Sequence, residues 1–249
     1  MSLDYDLMGY KVTSLSLASI LSEVFSSESI SVVNTINPHS YIVAKHDTYF
    51  MNSLRSSDFL IPDGSGIVFS IQYLYGEKLN KIAGYDLFSY TLSLLNNKYG
   101  KVFFLGSTNN VLAKIQGKML DEYPNVSMKS LSPPYKNKFS DSEIDLFITE
   151  INRFNPDVVF VGLTAPKQEK LIHLIKEHIN NVKMISGIGA VFDFYAGTIR
   201  RPSRFWIYLH LEWFIRLLGE PKRLWKRTVI SMPKFILDVI KYKARVKKS

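Results

Sequence analysis

Residues 157–163 have the sequence Asp-Val-Val-Phe-Val-Gly-Leu, and residues 101–105 have the sequence Lys-Val-Phe-Phe-Leu, followed directly by Gly106. Both are short apolar runs with little alternation between polar and apolar side chains. Such runs are typical of parallel strands that are covered on both faces of a sheet. Three shorter runs predict further strands: residues 32–36 (VVNTI), 59–62 (FLIP) and 182–186 (VKMIS).

Longer stretches with helical periodicity lie around and between these runs. They cover residues 14–25, 65–75, 85–97, 109–121, 140–153 and 167–178. The alternation of strands and helices predicts an α/β fold with a Rossmann-like, mostly parallel, doubly wound sheet. Ligands of such sheets bind beyond the carboxyl ends of the strands, so the residues directly after each strand are the functional candidates. No strand is followed by the three-glycine phosphate turn of Rossmann oxidoreductases, which argues against that class.

The charge of the chain is concentrated at one end. The 249 residues include 31 Lys and Arg and 22 Asp and Glu, which gives a net charge of +9. Residues 200–249 hold 14 of the basic and 3 of the acidic side chains, whereas residues 1–199 hold 17 and 19. We therefore predict an α/β catalytic domain over residues 1–197 and a basic, aromatic, helical appendage over residues 198–249.

The composition of the appendage indicates an anionic partner. Aromatic residues interleaved with cations suit the interface of an anionic bilayer. The alternative is a solvated, basic pair of helices packed on the domain. Nucleic acid is disfavoured, because base-reading modules and RNA-binding signatures are missing. No window offers about 18 uninterrupted apolar residues, and the N-terminus has no secretory signal, so we expect a peripheral membrane contact.

Metal and thiol chemistry is not expected. The chain has no cysteine, which excludes disulfides, thiol nucleophiles and Cys-based zinc sites. None of its five histidines forms a pair with the spacing of metal ligands. We therefore expect no metal site.

Two candidate sites follow the first two predicted strands. In residues 34–39 (NTINPH), Thr and Asn side chains can hydrogen-bond to a sugar or a phosphate, and the alternative is a polar turn that Pro38 stops. In residues 61–66 (IPDGSG), Asp63 lies at a strand mouth, and the helix that follows presents backbone amides to an anion. Asp63 can accept a proton from an attacking hydroxyl, and the alternative is that it caps this helix.

A third candidate site is formed by residues 162–169 (GLTAPKQE), where a strand ends in a loop that contains glycine. Pro166 suits the first position of the next helix. Gln168 can reach a bound ligand from the first turn of that helix. The alternative is that Gln168 and Glu169 are surface residues.

A fourth candidate site is formed by residues 186–194 (SGIGAVFDF). Gly187 and Gly189 permit close approach of the backbone to a ligand. Asp193 lies between aromatic residues, so we expect it to be paired or bound to a ligand if it is buried. The alternative is a glycine turn with a structural aspartate.

Taken together, these motifs resemble the WecG/TagA/CpsF family of glycosyltransferases. The resemblance extends from about residue 8 to about residue 235, and the order and spacing of the motifs make it specific. The motifs are Thr35-x-Asn37, Pro62-Asp63-Gly64-x-Gly66, Gly84-x-Asp86-Leu87, Ala165-Pro166-Lys167-Gln168-Glu169, Gly187-x-Gly189-Ala190-x-Phe192-Asp193-Phe194-x-Ala196-Gly197 and Leu211-Glu212-Trp213…Arg216-Leu217…Glu220-Pro221…Arg223.

The resemblance implies an inverting transferase that is peripheral at the cytoplasmic face of the cell membrane. Such an enzyme moves a sugar from a UDP-sugar to a polyprenyl-diphosphate-linked saccharide during synthesis of teichoic acid, exopolysaccharide or another surface polysaccharide. The sugar implied is ManNAc, its uronic acid ManNAcA, or another hexose or uronic acid. The family implies neither a cofactor nor an essential metal. Self-association of the chain stays open, because it would cover the aromatic tail.

The resemblance also implies roles for residues after the predicted strands. Asp63 matches the proposed general base. The residues that match polar groups around the donor sugar are Thr35, Asn37 and Gln168. The residues that fit the nucleotide pocket are Gly187, Gly189 and Asp193.

In the appendage, the resemblance implies cations that complete the active site. Arg216 and Arg223 match arginines that would hold a diphosphate. Lys226, with Arg227 beside it, stands where a third cation is expected. Arg is well suited to diphosphate because its planar fork forms paired hydrogen bonds with the oxygens.

Lys81 is a departure from the family pattern. Many members have Arg at this place, two positions before a Thr-Gly pair, whereas this chain has Lys81-Ile82-Ala83-Gly84. Lys keeps the charge but loses the bidentate fork, which puts a tight diphosphate clamp in doubt. A non-catalytic scaffold of the same fold, which binds nucleotide or lipid, is therefore the alternative function.

Overall fold

The computed structural model describes residues 4–199, Trp206 and residues 225–246, with the backbone alone for residues 226–228. Within these residues the strands form a two-stranded and a six-stranded sheet. The strands are β1 (Tyr5–Asp6), β2 (Lys11–Val12), β3 (Ser31–Ile36), β4 (Phe59–Pro62), β5 (Lys101–Gly106), β6 (Ser127–Leu131), β7 (Val158–Gly162) and β8 (Met184–Gly187).

The helices connect these strands or follow the last of them. They are α1 (Leu17–Ser26), α2 (Pro38–Ala44), α3 (Thr48–Arg55), α4 (Ser65–Tyr75), α5 (Gly84–Lys98), α6 (Asn109–Glu122), α7 (Asp141–Phe154), α8 (Lys167–Ile175), α9 (Val191–Ala196) and α10 (Met232–Val246). A 3₁₀ turn, Lys176–His178, follows α8. A π-helical turn, Lys226–Ser231, leads directly into α10.

The large sheet has the strand order β4-β3-β8-β7-β5-β6, and all of its registered pairs are parallel. Helices cover both faces: buried residues of α1, α5, α6 and α9 pack on one face, and those of α7 and α8 pack on the other. The predicted doubly wound, Rossmann-like α/β fold is therefore confirmed. Because the strands are parallel, all of their carboxyl ends lie at one edge of the sheet, which we call the carboxyl edge.

The strand sequences have few polar residues because both faces of the sheet are buried. Along β5, Val102 and Phe104 face the first helix layer, whereas Phe103 and Leu105 face the second. All four side chains are fully buried. This two-sided burial explains why the runs that predicted the strands do not alternate.

A third apolar cluster lies at the β4 end of the sheet and includes the C-terminal helix. Residues of the β1–β2 hairpin, α2, α3 and α4 form it together with Phe235 and Val239 of α10. The Phe235 ring is fully buried and meets the Tyr41 ring edge to face, with the centroids 5.3 Å apart. α10 is therefore packed on the α/β body. The boundary between residues 197 and 198 stays a prediction.

Several elements were not predicted from the sequence. Pro38 does not stop a turn but begins α2, where its missing N–H leaves no helical hydrogen bond unmade. β6 (SMKSL) has no apolar run because it pairs with β5 alone and its side chains are partly or fully exposed. None of the helices within the described residues has both the length and the apolar character needed to cross a membrane.

Candidate active site

Four neighbouring strands bring most of the predicted site residues to the carboxyl edge. β4, β3, β8 and β7 are adjacent in this order. Thr35 and Asn37 lie at the end of β3, Asp63 follows β4, and Gly187 ends β8. Gln168 lies in the first turn of α8, shortly after β7. Candidates separated by 150 residues in the sequence are thus neighbours in the fold.

The Asp63 turn, which we define as residues 62–66, continues β4 before α4 begins. The backbone amide of Asp63 donates to the carbonyl of Ile36 at 2.9 Å, so Asp63 still belongs to the sheet edge. Gly64 is the N-cap residue of α4, with φ of +88°, and it has no side chain to cap the helix. The interpretation of Asp63 as the helix cap is therefore wrong. Asp63 is partly buried at the end of the strand, two residues before the start of α4.

Asn37 has a structural function at the end of β3. Its Oδ1 accepts hydrogen bonds from the amides of His39 at 3.1 Å and Ser40 at 3.0 Å. The Ser40 hydroxyl accepts in turn from the backbone amide of Asn37 at 2.8 Å, which completes a capping box for α2. A ligand contact of Asn37 would therefore come from its Nδ2. Thr35 lies two residues earlier and is partly exposed.

Lys81 belongs to a loop that runs beside the Asp63 turn. The next residue, Ile82, donates its amide to the Pro62 carbonyl at 3.3 Å. The loop then enters α5 at Gly84, where a side chain would meet Val191 and the Ile188 carbonyl. These are ordinary van der Waals distances, and they place the start of α5, which follows Lys81, beside the residues after β8.

The Gly189 turn, which we define as residues 186–190, is held by side chains from neighbouring elements. Gln168 Oε1 accepts the Gly189 amide at 2.9 Å, and Asn34 Oδ1 accepts the Gly187 amide at 3.4 Å. A Cβ on Gly187 would lie 2.9 Å from the Gln168 amide carbon. Gly187 is therefore needed for close packing on Gln168, and Gly189, with φ of +54°, for the turn itself.

Gln168 and Glu169 are buried, so their interpretation as surface residues is wrong. They are 5% and 4% exposed. Gln168 Nε2 donates to Glu169 Oε1 at 3.0 Å. Glu169 Oε2 has no hydrogen-bond partner among the residues that the structure describes. Pro166, preceded by a cis peptide bond, is the N-cap residue of α8 rather than its first helical residue.

Burial raises the pKa of the Glu169 carboxyl from its ordinary 4.5 to about 7, more than its hydrogen bond with Gln168 lowers it. Ionisation of this carboxyl opposes folding. Its contribution therefore lowers the free energy of unfolding as pH rises from about 4.5 to about 7. Sequence reasoning did not single out Glu169 as a functional residue. The apolar spacing of Leu171, Ile172 and Ile175 could have placed Gln168 on the buried face of α8.

Asp193 lies in the short helix α9 and is partly buried. Its Oδ1 accepts the Thr198 hydroxyl at 3.4 Å, and its carbonyl accepts the Thr198 amide at 3.0 Å. The neighbouring Phe192 ring packs directly on Gly162, where a Cβ would lie 2.1 Å from the ring. α9 is thereby fixed against the end of β7, and Asp193 has a structural partner as well as a place near the carboxyl edge.

The predicted diphosphate-binding residues lie mostly outside the described part of the chain. Arg216 and Arg223 are outside it, and for Lys226 and Arg227 only the backbone of the π-helical turn is described. The end of that turn lies at the carboxyl edge, because Ser231 Oγ is 2.8 Å from His39 Nδ1.

The first residue of α10 packs on the Asp63 turn. A Cβ on Gly66 would lie 3.2 Å from the sulfur of Met232 and 2.7 Å from Pro38. The glycine at position 66 therefore leaves room for the C-terminal helix. α10 is held further along by an ion pair between Lys45 and Asp238 at 2.6 Å. Among the described residues, no group of three or more His, Cys, Asp or Glu side chains is arranged to hold a metal ion.

Comparison with known proteins places the chain among glycosyltransferases. The sequence model of the glycosyl transferase WecG/TagA/CpsF family matches residues 5–249. The chain belongs to the WecG/TagA/CpsF family. It is therefore a glycosyltransferase, and the resemblance that the motifs indicated is confirmed.

Relatives in this family have a specific named activity. The N-acetylglucosaminyldiphosphoundecaprenol N-acetyl-β-D-mannosaminyltransferase of Bacillus subtilis (strain 168) is 36% identical over 210 residues, which are 84% of this chain and 79% of the relative. A protein of the same name from Bacillus spizizenii is 34% identical over 209 residues, 84% of this chain and 78% of the relative. One from Staphylococcus aureus (strain MW2) is 26% identical over 251 residues, 100% of this chain and 94% of the relative.

Proposed function

We propose that the protein transfers N-acetylmannosamine from UDP-N-acetylmannosamine to a polyprenyl-diphosphate-linked N-acetylglucosamine, with inversion at the anomeric carbon. The names of its relatives describe a β-mannosaminyl transfer to such an acceptor and support this choice of sugar and acceptor. The observation that carries the proposal is the meeting of the Asp63 turn, the Lys81 loop and the Gly189 turn at one carboxyl edge.

In this reaction a hydroxyl of the acceptor sugar attacks C1 of the donor sugar. Asp63 takes the hydroxyl proton, the new C1–O bond forms, and UDP leaves with the electrons of the old C1–O bond. Asp63 is partly buried at a strand end, one residue before the N-cap of α4, and a carboxylate in this place suits this role. Thr35 and Nδ2 of Asn37 would contact the donor sugar.

The departing UDP carries negative charge that must be stabilised. We assign this role to cations of the chain: Lys81 beside the Asp63 turn, and Arg216, Arg223, Lys226 and Arg227 of the appendage. Fixed cations and the first amides of α4 stabilise such charge without a metal ion. The Gly189 turn and Asp193 would line the nucleotide side of the pocket. We therefore propose that neither a metal nor a cofactor is required.

A peripheral contact with an anionic bilayer at the cytoplasmic face would bring the enzyme to its lipid-linked acceptor. One side of α10 is buried through Phe235 and Val239. On other sides, Leu237, Ile240 and Lys241 are exposed at helical neighbour spacing. Apolar side chains beside cations on a helix surface suit the boundary between lipid headgroups and acyl chains. This surface supports a membrane rather than a nucleic acid as the partner.

The test is a UDP-release assay with the full chain and polyprenyl-diphosphate-N-acetylglucosamine in lipid vesicles. The donors are UDP-ManNAc, UDP-ManNAcA, UDP-Glc and UDP-GlcA, and the vesicles contain either anionic or only zwitterionic lipid. We expect release with UDP-ManNAc, a β-linked product, faster turnover on anionic vesicles and no effect of EDTA. UDP binding without acceptor-dependent release would instead favour the non-catalytic scaffold.

A further inference from the structure

Two side chains form a continuous polar chain beneath the Gly189 turn, and a third contacts the turn separately. The Gly189 amide donates to Gln168 Oε1 at 2.9 Å, and Gln168 Nε2 donates to Glu169 Oε1 at 3.0 Å. Asn34 adds a second contact from β3 through the Gly187 amide. Gln168 and Glu169 are both at least 95% buried. Both hydrogen-bonding ends of the Gln168 amide are thus used within the protein.

The orientation of the Gln168 amide follows from these contacts. A backbone N–H requires an acceptor, so the oxygen of the amide must face Gly189. Nε2 then faces the other way and requires an acceptor of its own, which Glu169 supplies. Without that acceptor, the side-chain amide of Gln168 could rotate about its last bond. Its NH₂ group would then face the Gly189 N–H in place of the acceptor oxygen. The position of the Gly189 turn therefore depends on Glu169 through Gln168.

The hydrogen bond between Gln168 and Glu169 is accompanied by an unfavourable contribution to the free energy of folding. Its second carboxylate oxygen is buried without a partner among the described residues. Burying a polar group without a hydrogen bond opposes folding, and apolar residues of similar size often stabilise such positions. A residue that opposes folding and orders a binding turn is typical of a functional site, where stability is exchanged for function.

We propose that Glu169 is a positioning residue that fixes the Gln168 amide and, through it, the Gly189 turn on the nucleotide side of the active site. Gln168 itself acts in this arrangement as a support of the turn. The effect on substrate rests on the proposed function, because it requires that the donor nucleotide binds at this turn. The effect on the turn itself does not.

The test compares Glu169→Met with Glu169→Gln in the full chain. Met fills similar volume but accepts no strong hydrogen bond, whereas Gln keeps an acceptor oxygen for Gln168. We expect Glu169→Met to raise the KM for UDP-ManNAc about tenfold, the effect of one lost hydrogen bond, with a smaller change in kcat. Its midpoint of urea unfolding should change little, because removing the unpaired Glu169 oxygen offsets the Gln168 Nε2 that is left without an acceptor. Glu169→Gln should recover most of the lost donor affinity.

Amide hydrogen exchange measures the turn directly. Residues 186–190 should exchange faster in Glu169→Met than in the unsubstituted protein, although the global stability of the two proteins is similar. Glu177→Met is the matched control: its side chain is 76% exposed, and neither exchange nor KM should change.

Unchanged exchange at the Gly189 turn in Glu169→Met would overturn the proposal, as would a parallel loss of stability and activity. If the unsubstituted protein shows no transfer, the proposed function fails, and the exchange measurement still decides the role of Glu169.

Discussion

The Asp63 turn and the Gly189 turn lie on either side of β3, yet they are built in opposite ways. After β4, Gly64 is the N-cap residue of α4, and Asp63 places a carboxylate at the strand end. After β8, the turn contains two glycines, and polar side chains from β3 and α8 hold their backbone amides. One turn presents a functional group, and the other is a backbone surface supported from beneath.

This difference indicates that proton transfer and ligand binding are carried out by different turns at the carboxyl edge of the sheet. A carboxylate at a strand end can take a proton from a bound hydroxyl. A glycine turn lets a ligand approach the backbone closely, but glycine loses much conformational freedom on folding and needs support. Gln168 and Asn34 supply that support. We therefore expect substitutions at the Asp63 turn to change turnover and substitutions at the Gly189 turn to change affinity.

The largest expected effect is that of Asp63→Asn. An amide cannot take the proton of the acceptor hydroxyl, so kcat should fall by roughly two or more orders of magnitude. The KM for UDP-ManNAc should change little, because the Gly189 turn is untouched. Steady-state UDP release with the lipid-linked acceptor measures both constants.

Asp121→Asn is the control for Asp63→Asn, because Asp121 is an exposed residue of α6 and is remote from the carboxyl edge. A near-normal kcat in Asp63→Asn would reject this residue as the base. It would also remove the contrast between a catalytic and a binding turn.

Much of this arrangement could be predicted because its signals are local. The five apolar runs marked five of the six strands in the large sheet, and turn residues after them marked the candidate site. The support of the Gly189 turn could not be predicted in this way. It depends on the register of β3 against β8, where Val33 pairs with Ser186, and on the burial of Gln168 against Gly187. Such contacts join residues far apart in sequence.

The C-terminal helix allows a second test of this contrast, because Met232 of α10 packs against Gly66 in the Asp63 turn. Phe235→Ala removes a fully buried ring from the third apolar cluster. The free energy of unfolding should fall by about 3–5 kcal/mol. If α10 also orders the Asp63 turn, kcat should fall while UDP affinity stays unchanged. Urea unfolding and UDP titration separate the two results.

Phe147→Ala is the matched control for Phe235→Ala. Phe147 is also buried in an edge-to-face ring pair, with Phe139 at 5.1 Å, but it belongs to α7, which packs on β5. We expect similar destabilisation and an unchanged kcat at a temperature where the variant is folded. Equal loss of kcat in both variants would show that activity follows stability alone.

The smallest expected effect concerns Asn37, which lies between the two turns and shares features of both. Asn37→Ala loses the acceptor that caps α2 and should lower the free energy of unfolding by about 1 kcal/mol. Asn37→Asp keeps that acceptor, and its charge is favourable at a helix N-terminus, so stability should be retained. If Nδ2 also contacts the donor sugar, Asn37→Asp should raise the KM for UDP-ManNAc about tenfold, as for one lost hydrogen bond.

Ser140→Ala is the corresponding control for Asn37, since Ser140 caps α7 with the same capping box and follows β6 at the opposite end of the sheet. It should lower stability by a similar amount and leave the KM unchanged. Normal KM in Asn37→Asp would mean that Asn37 only shapes the end of β3. The contrast between a turn that presents a functional group and a turn that binds through its backbone would then apply to the residues after β4 and β8. The residues at the end of β3 would have a structural role only.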